Sequence, residues 1–328
     1  MTTSLPLTLA CWDYDRVRAL QDGRVRPEGI DLRFHAVPPP ESFFRMLHFQ
    51  EFDISEMSLS WYTRTVFKEK RRFIAIPAFP SRMFRHSCIY VHADSGIVDP
   101  ADLRGKRVGC PEYQMTAAVW AKGILADEYG VPVDSVQYFT GGLDEPGRCE
   151  VPLDLPDNIS VQAIDDSRTL SELLETGEID ALYGPEPSSY RRSTKVRRLF
   201  EDYPQVERDY FQRTGIFPIM HTVVIRQDVV DEHPWVPRSM LTAFEASKAI
   251  AQNDLFEIGA VKSMLPWLVS HAEEAQELFG GDWWPYGIDP NRLALETFLR
   301  YSFEQGISPR LAAVDSLFAP QTLRTSRT

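Results

Sequence analysis

The chain has 328 residues, 43% of them apolar and 25% charged, and a formal charge of −12. That length exceeds one comfortable hydrophobic core and makes two domains the natural expectation. The acid excess argues against a duplex nucleic acid as partner, because such binding needs a dominant basic face.

In chain order, residues 5–12 read as a buried strand. Residues 30–37 are another, entered through the turn Pro27-Glu28-Gly29 and stopped by Pro38-Pro39-Pro40. Residues 41–50 carry helical apolar spacing at Phe43, Phe44 and Leu47. Residues 52–59 and 72–79 are further strands, and this strand–helix–strand order predicts a largely parallel sheet with helices on both faces. Residues 87–93 read as a strand leaving the first lobe. Residues 100–111 open a second unit, followed by a helix over 114–129 and strands over 136–140 and 159–164. A Gly-, Pro- and acid-rich stretch over 141–157 reads as a long exposed loop. A helix over 170–176, a strand over 179–183 and a returning strand over 219–225 complete the middle. Residues 237–307 read as helical and the last ten as frayed.

Two similar phrases organise this pattern: Phe52-Asp53-Ile54-Ser55-Glu56-Met57-Ser58 and Glu178-Ile179-Asp180-Ala181-Leu182-Tyr183-Gly184-Pro185. Each reads as a helix, an acidic turn, a short apolar strand and polar residues at its end. Open α/β sheets bind ligands beyond the carboxyl ends of their strands. The expectation is therefore a two-lobed α/β fold with a ligand cleft between the lobes. Lobe I takes residues 1–90 plus 220–328, and lobe II takes 91–219.

The four cysteines, Cys11, Cys88, Cys110 and Cys149, show no CxxC or CxxH spacing. That argues against a zinc site, and three of them sit in apolar strand-like runs that suit buried reduced thiols. No stretch approaches the ~20 apolar residues of a membrane span. The first twelve residues lack a basic n-region and a long h-region, so they read as a strand and the protein as soluble and cytoplasmic.

The run Leu9-Ala-Cys-Trp-Asp-Tyr-Asp-Arg16, with the runs 23–31 and 52–60, resembles the 4,5-dihydroxyphthalate decarboxylase family. Pro77-Ala-Phe-Pro-Ser-Arg-Met-Phe-Arg-His86 and Tyr183-Gly-Pro-Glu-Pro187 extend the resemblance over nearly the whole chain. The resemblance implies a type II periplasmic-binding-protein-like fold, each lobe a mixed sheet flanked by helices. It also implies loss of one carboxylate from the catechol dicarboxylate, giving protocatechuate and carbon dioxide. The partner it implies is a small aromatic dicarboxylate, and a homo-oligomer is expected.

Such a reaction needs an acid for the ring carbon, an acceptor for a phenolic proton and a cationic clamp for the retained carboxylate. Arg82, Arg85 and His86 follow a strand, as a basic loop or as clamp (Arg82, Arg85) and proton donor (His86). Trp12, Asp13, Tyr14 and Arg16 follow the first strand. Trp12 would stack on the ring, and Asp13 either accepts the phenolic proton or caps the helix that Tyr14 begins. Glu56 lies two residues from Ser58 in a strand. It is either at the strand end or buried, and burial would raise its pKa toward acid–base use. Glu186, after Tyr183 in the second phrase, is either an acid or a strand terminator. His221 either points into the cleft or is a hydrogen-bonded structural residue. Gln114, Met115 and Thr116 open a helix whose amides suit a second carboxylate, unless Thr116 simply caps it. No cofactor is required in principle, because the catechol supplies its own electrons. A divalent metal on the histidines and glutamates lacks supporting spacing. Trp283-Trp284-Pro285-Tyr286 reads as a packing or subunit element. The rival readings are a binding protein that leaves an aromatic acid unchanged, and a decarboxylase of another hydroxylated aromatic acid.

Overall fold

A computed structural model describes residues 4–148 and 152–323. Cys149 and the residues beyond 323 lie outside it. Among the described residues the strands are β1 (Leu5–Cys11), β2 (Ile30–Ala36), β3 (Ile54–Ser58), β4 (Phe73–Arg82), β5 (Ile89–His92), β6 (Arg107–Cys110), β7 (Gln137–Thr140), β8 (Ser160–Ala163), β9 (Ala181–Tyr183), β10 (Val196–Arg198) and β11 (Ile219–Arg226). They form two mixed sheets flanked by helices.

The chain divides into two compact units. The first holds residues 1–82, 219–296 and 312–328, and the second holds 83–218 and 297–311. The expected division at 90 and 220 is therefore shifted. The first crossing falls between Arg82 and Met83, and residues 297–311 belong with the second unit. The reason is packing. Phe298 and Tyr301 both lie on Trp120, at ring separations of 5.6 Å, and the Tyr301 ring occupies the space left by the missing side chain of Gly123.

The first unit's sheet runs β2-β1-β3-β11-β4. β1 pairs in parallel with β2 and β3, while β11 is antiparallel to β3 and β4. All five residues of β3 are buried, as a central strand covered on both faces requires. The helix Pro39–Phe49 packs on β3, and the helix Val236–Asp254 packs on the helix Asp15–Gln21 and on β4. The β4–β11 register breaks on both sides of His221. Pro77 and Pro80 lie in β4 at this point and lack the N–H that a regular ladder needs. The resulting irregularity leaves β11 free to keep a continuous register with β3.

The C-terminal end is not frayed up to residue 323. Phe318 bridges Ala75, the Ala319 N–H donates to the Ala75 carbonyl at 2.8 Å, and Phe318 and Ala319 are buried.

The second unit's sheet runs β10-β5-β9-β6-β7-β8. β6 is parallel to both β9 and β7, and β5 is antiparallel to β9 and β10. Leu170, Leu173 and Leu174 of the helix Leu170–Thr176 pack with Tyr90, Ile179, Leu182 and Val196 into its core. The described part of residues 141–157 carries neither helix nor strand. Among the described residues, no helix is long and apolar enough to cross a membrane.

Candidate active site

Three neighbouring strands of the first unit bring one carboxylate and its donors together. In the β3–β11 register Glu56 faces Val223 and His221 faces Ser58. Glu56 and His221 are thus diagonal neighbours on one face of the sheet. β1 lies on the other side of β3 with Ala10 opposite Ser55, which carries Cys11 level with Glu56. The result is a buried carboxylate with four donors. Oε1 accepts from the Tyr14 hydroxyl at 2.8 Å and from His221 Nδ1 at 2.6 Å. Oε2 accepts from the Trp12 N–H at 3.0 Å and from the Cys11 thiol at 3.5 Å.

This arrangement inverts one expectation. Burial does push the Glu56 carboxyl upward. The hydrogen bond and charge of His221, with the Trp12 and Tyr14 bonds, outweigh it and hold the group below its ordinary value. A carboxylate that accepts from several donors is favoured in its charged form. Glu56 is therefore an anion, not the acid that delivers a proton to carbon. The same carboxylate acts on its neighbours. Burial and the Glu56 charge push the Cys11 thiol and the Tyr14 hydroxyl well above their usual values, so both stay protonated and donate.

A carboxylate can only accept, so His221 Nδ1 carries the proton of the 2.6 Å bond. Nε2 lies on the other side of the ring, and the side chain is 17% exposed while Glu56 is fully buried. The Phe43 ring meets the imidazole edge-on at 4.9 Å. Trp12 is half exposed beside this cluster.

Tyr14 precedes the helix Asp15–Gln21, and its ring also packs on Arg16, whose guanidinium carbon lies 4.1 Å from the ring centre. The Trp284 ring covers the guanidinium at 4.4 Å.

Asp13 is exposed and ion-paired with Arg18 at 3.2 Å. It does not cap the helix, which begins after Tyr14 without a side-chain cap. The Ser58 hydroxyl accepts from the Trp61 N–H at 3.4 Å and so caps the helix Leu59–Thr65. Arg82 is buried, donating to the Pro285 carbonyl at 2.7 Å and to the Asn291 amide oxygen. Burial lowers its pKa.

Arg85, His86, Gln114, Met115, Thr116, Tyr183 and Glu186 all belong to the second unit. Arg85 is buried with Nη1 3.6 Å from the Cys88 sulfur. His86 lies among Tyr129, Phe200 and Tyr210 at ring separations of 6.2, 5.2 and 5.1 Å. Burial, with Arg213 nearby, pushes it down to about 4. An imidazole that is neutral at pH 7 does not fit the expected proton donor. Glu186 is partly exposed and ion-paired with Arg191 and Arg198, a surface setting rather than an acid's pocket. The helix Thr116–Tyr129 starts two residues later than the expected Gln114, with Met115 at its N-cap, and Thr116 does not cap it. Gln114 and Thr116 are buried. The buried Tyr183 hydroxyl has no hydrogen-bond partner among the described residues.

Sequence reading missed three contributors. Cys11 reads as an inert buried thiol, and it is buried and free, yet it donates to Glu56. Phe43 and Trp284 come from helical and loop segments with no chemical signature of their own. The tryptophan-rich run 283–286 was the one available signal. Among the described residues no three His, Cys, Asp or Glu side chains converge as a metal-ligand group.

No family model matches the chain. A 4,5-dihydroxyphthalate decarboxylase from Comamonas testosteroni is 41% identical over 326 residues, spanning 98% of this chain and 99% of its own. A second, from Pseudomonas putida, is 40% identical over 211 residues, spanning 63% of this chain and 82% of its own. Among solved structures, the periplasmic aliphatic sulphonate binding protein SsuA from Escherichia coli superposes with a TM-score of 0.54 at 11% identity, covering 97% of this chain and 99% of that one. The desulfurization enzyme DSZB superposes with a TM-score of 0.50 at 15% identity, covering 97% of each. These likenesses assign the fold as that of periplasmic binding proteins and carry nothing about chemistry.

Proposed function

The chain belongs to the 4,5-dihydroxyphthalate decarboxylase family, and on that premise we propose that the cluster around Glu56 and His221 is where it removes carbon dioxide from the catechol dicarboxylate. The protein is a carboxy-lyase, and the products are protocatechuate and carbon dioxide. The observation that supports this site is the 2.6 Å contact between His221 Nδ1 and a fully buried Glu56.

In the substrate, each carboxylate sits para to a hydroxyl. Electron release from that oxygen raises electron density at the ring carbon bearing the carboxylate. His221, its Nδ1–H held by Glu56, delivers a proton from Nε2 to that carbon. The carbon–carboxylate bond then breaks, its electron pair returns to the ring, and carbon dioxide leaves. The net change is one proton consumed for each carbon dioxide released. His221 regains its proton through its partly exposed side. Glu56 orients the imidazole and opposes the positive charge it carries when doubly protonated, a division of labour familiar from other buried carboxylate–histidine pairs. Tyr14 and the Trp12 N–H keep Glu56 ionised, and the Trp12 ring offers a stacking surface for the catechol.

This chemistry needs no metal and no organic cofactor, because the ring is its own electron source. Homo-oligomerisation is part of the proposal. It is supported by the exposed apolar side chains of Ile258, Val261, Met264, Leu265 and Trp267, which follow one another within ten residues.

The test uses chelator-treated protein with 4,5-dihydroxyphthalate, following carbon dioxide and protocatechuate together. Equimolar appearance of both is expected. Saturable binding without carbon dioxide would move the chain to the binding class, and activity only with another hydroxylated aromatic acid would change the substrate.

A further inference from the structure

We propose that Arg16 is the group that grips the carboxylate retained by the substrate, and that Trp284 is the positioning residue that fixes the plane of its guanidinium. This rests on the decarboxylase reading above and names the recognition element of the same site.

Trp284 is itself pinned at three points. Its indole N–H donates to the Phe79 carbonyl at 2.9 Å, its backbone N–H donates to Asp282 at 2.9 Å, and its carbonyl accepts from Lys248 Nζ at 3.1 Å. Lys248 in turn donates to Asp282 at 2.7 Å, which ties the loop to the helix Val236–Asp254. The ring held this way lies 4.4 Å from the Arg16 guanidinium, and the Tyr14 ring lies 4.1 Å from it.

A guanidinium covered by aromatic rings keeps only its edge for hydrogen bonds, and that planar edge matches a carboxylate. Nε already donates to the Pro80 carbonyl, and Nη1 reaches Asp15 at 3.0 Å. Nη2 has no hydrogen-bond partner among the described residues. The side chain is only 18% exposed, while Asp15 is 56% exposed. The Asp15 contact is therefore a weak, solvent-screened competitor. Tyr14 joins the two halves of the site, because its ring packs on Arg16 and its hydroxyl donates to Glu56 at 2.8 Å. A carboxylate held on the Arg16 edge is thereby fixed relative to the proton-transfer pair.

The decisive experiment is a double-mutant cycle on Arg16→Ala and Trp284→Leu, with Trp284→Phe as the conservative variant and Trp283→Leu as the control. Trp283 packs on Phe256 at 6.0 Å. Two readouts are taken: KM and kcat for 4,5-dihydroxyphthalate, and Kd for phthalate, which has both carboxylates but no electron-releasing hydroxyl. Melting temperatures identify variants that fail to fold. Trp284→Leu is expected to raise KM and Kd about tenfold, the range of a desolvated cation–π contact, with kcat changed less than about threefold. Trp284→Phe should restore most of the loss. In the Arg16→Ala background, Trp284→Leu should cost nothing further. Additive effects of the two changes, or an unchanged Kd in Trp284→Leu, would overturn the assignment, as would phthalate failing to bind the unmodified protein. Coupled phthalate binding in a chain that releases no carbon dioxide would support this inference and refute the decarboxylase reading. Turnover with additive effects would do the reverse.

Discussion

Glu56 and His221 are 165 residues apart in the chain, and their side chains meet at 2.6 Å because β11 pairs with β3 in a register that sets them diagonally on one face. The carboxylate is fully buried and accepts four hydrogen bonds, so it holds a negative charge where burial alone would neutralise it. Glu56→Gln keeps the shape but replaces an acceptor with a donor facing other donors. The expected outcome is a kcat lower by about a hundredfold or more, with KM changed far less. Steady-state kinetics on carbon dioxide release decide it, and a kcat within twofold of the parent would remove Glu56 from the proton-transfer pair.

The depressed Glu56 carboxyl also predicts a pH dependence of stability. A group whose folded pKa lies below its unfolded value contributes stability above the unfolded value, about 4.3 for a glutamate. That contribution is lost as pH falls through the folded value. Melting curves of the parent and Glu56→Gln should therefore differ most above pH 5 and converge under acid conditions. A constant difference across the whole range would contradict the direction of the shift.

His86 predicts the opposite kind of titration. Its folded value is pushed down to about 4 from an ordinary 6.5 by burial and by Arg213. Between those values the unfolded chain takes up a proton that the folded chain refuses. Stability should thus fall as pH drops from 6.5 toward 4 by at most about 1.4 kcal/mol per pH unit, and no penalty exists above 6.5. His86→Phe, which suits the surrounding Tyr129, Phe200 and Tyr210 rings, should remove that part of the slope. An unaltered pH profile of the melting temperature would show that His86 is charged in the folded state.

Arg82 separates anchoring from capture. Its guanidinium donates to the Pro285 carbonyl and to Asn291 inside the first unit. Arg82→Ala leaves those acceptors buried, and hydrogen bonds from charged donors are worth about 1.5–3 kcal/mol each. The expected result is a lower melting temperature by several degrees, with little change in KM at a temperature where the variant stays folded. A large rise in KM with unchanged melting would restore Arg82 to the substrate.

The readability of this chain in sequence divides along a physical line. The strands carrying Cys11, Glu56 and His221 were legible because their apolar runs are local signals. The closeness of Trp12, Tyr14 and Arg16 to one another was legible too, because all three lie within the five residues that follow β1. The sign of the Glu56 shift was not, since its donors lie 42, 44, 45 and 165 positions away. The split of the basic run 82–86 was not legible either, for a related reason. The unit division falls between Arg82 and Met83, so neighbours in sequence pack into different surroundings.

The sequence by itself determined the α/β class, the alternation of strands and helices, and the family to which the chain belongs, because these depend on short-range patterning and on motifs read as strings. Only the tertiary structure decided that Glu56 is buried among four donors, that His221 meets it through Nδ1, and that Arg16 lies against the Tyr14 and Trp284 rings. Each of those properties is set by the dielectric and the hydrogen-bond partners around a side chain, and the strand register that brings the partners together spans most of the chain.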